Sequence, residues 1–107
     1  MIKPDATESK VKDEVKKLLK QYGAYYFMPP ANGFGRSGVP DIVACYRGQF
    51  ISVECKAPAR WNNVSELQKR EGCKIKEAGG VWRVVHDDKT LHDLETLLLA
   101  VEIAHGT

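Results

Sequence analysis

The chain has 107 residues, 43% of them hydrophobic and 28% charged, which suits one small globular domain with a modest core. No apolar run approaches the roughly 20 residues that span a bilayer, and the stretch from Met1 to Lys20 is too charged for a secretory signal; a cytoplasmic protein without a membrane partner is expected. The net charge of +2 hides an asymmetry: residues 1 to 83 carry 15 Lys and Arg against 9 Asp and Glu, and residues 84 to 107 carry 1 against 5, a basic body with an acidic tail that is compatible with a phosphate-backbone partner.

Val11, Val15, Leu18, Leu19 and Tyr22 recur at helical spacing and predict a first helix from about Ala6 to Tyr22, with Gly23 at its end. Ala24 to Met28 reads as an aromatic-rich strand. Pro29 to Gly38 is a loop by its Pro, Gly and Asn content. Two apolar runs around Arg47-Gly48 predict a hairpin from about Pro40 to Lys56. A loop from Ala57 to Asn63 follows. Ser65-Glu66-Leu67-Gln68 has the capping-box pattern and opens a helix to about Ala78. Val81 to Val85 is a strand, Asp87-Asp88 a turn, and Thr90-Leu91-His92-Asp93 opens a last helix to about Ala104. The order α-β-β-β-α-β-α gives an α/β fold, a small mixed sheet with flanking helices. The crossover from Lys56 to Val81 sets the last strand parallel to the second arm of the hairpin.

Three cysteines lack Cys-x-x-Cys spacing, so no zinc site is expected; Cys45 and Cys55 read as buried small hydrophobes. The hairpin carries the chemistry. If Tyr46 pairs with Gln49, Asp41 lies opposite Glu54 on one sheet face, and Lys56, two residues on, shares that face. Like charges held there repel, and a divalent cation between them reverses the sign. A two- or four-residue loop keeps this register; a three-residue loop slips it by one and parts the carboxylates.

Glu8 falls at the edge of the core-facing stripe of the first helix, which leaves two readings: partner in an Asp5 capping box, or a carboxylate that joins the metal site. Gln68 is likewise either the capping partner of Ser65 or a group that reaches the scissile phosphate or attacking water. Arg36 and Ser37, in the Gly-rich run before Asp41, fit a substrate-contacting loop. Lys10, Lys12, Lys16, Lys17 and Lys20 form a solvated helix face, with direct phosphate contact open to some of them. On the last helix Leu91, Leu94, Leu98 and Val101 make one stripe, and Leu97, Leu99 and Ile103 lie beside it, an apolar excess that points to a homodimer.

Pro40-Asp41 followed by Glu54-Cys55-Lys56 resembles the PD-(D/E)XK nuclease motif. With Glu8 opening the first helix, Tyr22-Gly23-Ala24 ending it, Gly38-Val39 before the Pro-Asp pair, and Gln68 on the next helix, residues 7 to 86 are similar to the stand-alone VRR-NUC nucleases of phages and bacteria and to archaeal-type Holliday junction resolvases. The resemblance implies a restriction-endonuclease-like fold. It implies Mg²⁺ or Mn²⁺ held by Asp41, Glu54 and the Cys55 backbone carbonyl, with Glu8 bound through water. Lys56 would orient the attacking water or stabilise the transition state, and Gln68 would support. The implied activity is structure-selective DNA cleavage, foremost resolution of four-way junctions by a homodimer. The alternatives are a flap or general DNA nuclease, and a non-catalytic nucleic-acid-binding module.

Overall fold

The structure is a computed structural model that describes residues 1–30 and 37–106. Helix α1 (Glu8–Tyr22) precedes strand β1 (Tyr25–Phe27), the hairpin β2 (Ile42–Tyr46) and β3 (Gln49–Cys55), helix α2 (Glu66–Glu77), strand β4 (Val81–Val85) and helix α3 (Asp88–His105). One 3₁₀ turn, Pro58–Arg60, interrupts the loop before α2. The strands lie in the order β1-β2-β3-β4. β1 to β3 are antiparallel neighbours, and β4 runs parallel to β3 as the crossover requires.

The hairpin closes on the two residues Arg47 and Gly48, both at positive φ (52° and 83°), the requirement of the tight turn whose twist matches the flanking strands. That loop length sets Tyr46 against Gln49 and Ile42 against Val53. Alternation then sorts the sheet into two faces. Ile42, Ala44, Ile51, Val53, Cys55 and Val85 join Val11, Val15, Leu19, Leu94 and Leu98 in the core under α1 and α3. Tyr22 and Tyr46 pack edge to face and donate to Glu95 (2.8 Å) and Glu102 (2.9 Å), clasping α3 to the core. On the other face α2 lies against β4 through Gly72, where an added Cβ would stand 2.4 Å from the Trp82 ring.

Several local expectations are corrected. Thr7, not Asp5, caps α1, accepting from the Lys10 N–H. α3 starts at Asp88, two residues before the expected Thr90: Asp87 is the cap and Thr90 the third residue of the capping box. Both differences have one cause, since an Asp and a Thr two or three positions apart offer competing caps and the sequence does not rank them. Cys45 is exposed, because α2 covers only the β4 side of its face; Cys55 is buried in the core.

Candidate active site

The base of the hairpin brings Asp41 and Glu54 together. Asp41 sits in the bend before β2, one step beyond the Ile42–Val53 pair, and Glu54 one step beyond Val53 on β3. The Asp41 carboxyl lies close enough to Glu54 to raise its pKa. Glu54 is 1% exposed. Its Oε1 accepts from Gln68 Nε2 at 2.9 Å, while Oε2 is buried without a donor. The neighbouring Asp41 carboxyl is itself an acceptor when ionised, so a bond between the two carboxyls needs a shared proton. Burial first, and the Asp41 carboxyl second, push the Glu54 pKa up to about 9, with Lys56 pulling the other way.

Each carboxylate is fixed from a different element. The backbone N–H of Cys55 donates to Asp41 Oδ2 at 2.8 Å. Gln68 meets both of its readings with one amide: its Oε1 accepts from the Ser65 N–H at 2.9 Å and its Nε2 holds Glu54. The first turn of α2 can come this near because of Gly38, at φ 82°, where a Cβ would lie 2.5 Å from the Leu67 carbonyl oxygen. Lys56 follows β3 and anchors to β4 through its own N–H and the Val85 carbonyl at 3.0 Å.

Lys12 belongs here too, against the expectation of a solvated helix face. Its Nζ lies 3.4 Å from Glu8 and 3.8 Å from Asp41. Burial works against its charge, but Asp41 and Glu8 outweigh it and raise the ammonium pKa. The available signal was the spacing from Glu8, one helical turn away on the same side. Glu8 is exposed as the first helical residue; it stands at the rim, close enough to raise the Glu54 pKa, and is not a capping partner. Glu14 is buried under Met1, Lys10 and Lys17. Lys10 is thereby drawn to Glu14 rather than to the carboxylate pair. Ser37 is exposed in the turn before Gly38, and Arg36 lies outside the described residues.

Two carboxylates, one with an unsatisfied buried oxygen, suit a hard divalent cation. Among the described residues no three Asp, Glu, His or Cys side chains converge; a cation that keeps several waters tolerates a two-carboxylate count. The Cys55 thiol is no competitor, since burial pushes its pKa up and it points into the core.

Fold and site together define a small α/β protein with a two-carboxylate, two-lysine centre at the open end of its hairpin. The chain is 37% identical over 102 residues to a protein of Acyrthosiphon pisum secondary endosymbiont phage 1 named "Putative nuclease p44", a match that covers 94% of this chain and 97% of the phage protein. It belongs to the family of that phage protein. No family model matches the chain.

Proposed function

We propose that the protein is a divalent-metal-dependent DNA endonuclease of the PD-(D/E)XK superfamily, in its stand-alone VRR-NUC branch, acting on branched DNA and foremost on Holliday junctions. The nuclease name of the phage relative supports hydrolysis of nucleic acid. The observation that carries the reading is the Glu54 Oε2, buried without a partner in a carboxyl that the neighbouring Asp41 pushes toward its neutral form. A fold tolerates such a pair where a cation or proton completes it, and structural carboxylates are otherwise placed on donors.

Asp41, Glu54 and the Cys55 carbonyl would hold Mg²⁺ or Mn²⁺. A bound ion of this kind lowers the pKa of water and offsets charge on the phosphate. The chain supplies the rest. Gln68 and the Cys55 N–H hold the two carboxylates in place before substrate arrives. Lys12 balances Asp41 and Glu8, keeping the rim from repelling a phosphate. Lys56 presents an ammonium where charge grows on the phosphate oxygens. Arg36, Ser37 and Lys10 are candidate backbone contacts.

A homodimer fits this substrate, because a four-way junction has two-fold symmetry and needs two matched cuts. The apolar surface for it is present. Leu99 and Ile103 on α3 remain exposed, and Tyr25, Phe27 and Phe50 leave a second apolar face on the open side of the sheet.

Incubation with a labelled four-way junction, a flap and a continuous duplex, with and without Mg²⁺, tests the proposal. Cation-dependent cutting with the junction preferred is expected. Preference for the flap would replace the resolvase reading, and binding without cutting would leave a nucleic-acid-binding module.

A further inference from the structure

We infer that Trp61 and His86 form a stacking platform for a base unpaired at the branch point beside the reacting phosphate, so that the enzyme favours DNA that can present an unpaired nucleotide near the cut over continuous duplex. This rests on the nuclease reading for what happens to the strand, but not for the binding itself.

Trp61 is 56% exposed, an uneconomical position for a large aromatic ring unless something covers it. It is nonetheless held. Its turn is tightened by the Arg60 N–H on the Ala57 carbonyl and the Asn63 N–H on the Arg60 carbonyl, each 2.9 Å. Its ring packs on His86 with centroids 5.8 Å apart and planes tilted by 40°. His86 is fixed in turn: its N–H donates to Thr90 Oγ1 at 3.0 Å, and its Nδ1 lies 3.5 Å from Asp87 Oδ2, the cap of α3. One side of the indole is therefore braced while much of the ring stays open.

The platform adjoins the candidate site. Cys55 pairs with Val85, so Lys56 and His86 leave the sheet side by side. Asp41 flanks β3 on the β2 side and His86 on the β4 side. Two strand spacings and an offset of two residues along the strand separate them, about 12 Å, which is about three to four nucleotides along a stacked strand at ~3.4 Å each. The surroundings favour a base over an apolar protein partner. Arg60, Asn62 and Asn63 are all exposed around Trp61, so the ring is a single aromatic in a polar, basic setting rather than part of an apolar patch. Aromatic faces with cationic neighbours are the common means of holding unpaired bases.

The test uses the full chain in EDTA, a dT oligonucleotide, and a duplex of equal length. The protein has two tryptophans, so quenching of wild-type fluorescence by the oligonucleotide should vanish in Trp61→Phe, where only Trp82 reports. Trp61→Ala should weaken single-strand binding by about 5- to 150-fold, with a smaller loss on duplex and a smaller loss in Trp61→Phe, which keeps an aromatic face. With Mg²⁺, the Trp61→Ala defect should appear in KM rather than kcat, and more on a substrate with an unpaired nucleotide near the cut than on continuous duplex. Quenching that survives in Trp61→Phe, or equal losses on single strand and duplex, would overturn the platform. Trp61-dependent quenching in a protein that cuts nothing would leave the platform standing and sink the nuclease reading instead.

Discussion

Glu54 is pulled between two states. Its folded pKa of about 9 lies above the ordinary 4.5, so without a cation the folded protein holds this proton more tightly than the unfolded chain does. The stability it contributes is full below about pH 4.5 and is lost as pH rises toward about 9. Glu54→Gln removes that slope. The new amide can donate to Asp41 and accept from Gln68, so the metal-free variant should melt no lower than wild type at neutral pH and above it at pH 8, while cleavage is abolished. Asp41→Asn should likewise abolish cleavage with the fold intact. Thermal melts of both variants across pH in EDTA, beside a cleavage assay, check this; full activity in either would remove that carboxylate from the mechanism. Lys56→Ala should lower kcat by on the order of 10²–10³ with a smaller loss of DNA affinity. If affinity falls as far as turnover does, Lys56 is a phosphate clamp and not a transition-state group.

At the scale of elements, the site depends on how closely α2 approaches the turn before β2. Gly38 stands at positive φ with the Leu67 carbonyl where its Cβ would be. Gly38→Ala therefore meets two obstacles, a backbone conformation that disfavours L side chains and a main-chain clash. The expected cost is more than about 1 kcal/mol, together with a loss of cleavage, because the displaced helix start carries Gln68 away from Glu54. Chemical denaturation and activity measured on the same preparation check both. A variant of wild-type stability and rate would show that the contact is not needed to place Gln68.

The whole molecule contributes charge and surface. If the basic body binds the DNA backbone, log affinity against log salt should slope by about −0.9 for each phosphate neutralised on duplex; a titration giving a slope near zero would remove the electrostatic footprint. The exposed Leu99 and Ile103 set the second expectation. Sedimentation at micromolar concentration should give about twice the 12.0 kDa chain mass, and Leu99→Glu with Ile103→Glu should shift it to monomer if α3 is the contact. A dimer that survives both changes would point to the Tyr25, Phe27 and Phe50 face instead. Among the described residues no helix is long and apolar enough to cross a membrane.

The amino-acid sequence alone determined the element order, because apolar periodicity and turn residues are local rules, and it narrowed the hairpin to two registers. The two-residue Arg47-Gly48 turn of the structure selects the one in which Tyr46 meets Gln49 and Asp41 comes to the side of Glu54. Family membership was also within its reach, since 37% identity spans nearly the whole chain. Tertiary structure decided what lies between layers. Lys12 reads as one more lysine on a basic helix until the end of α1 is set against the hairpin. The burial of Glu14 depends on the chain start folding over it. The double duty of the Gln68 amide depends on the approach that Gly38 permits. Helical and strand periods specify which side of its own element a residue occupies; they carry no information about which residue of another layer that side will meet, and at this site the charges are balanced across layers.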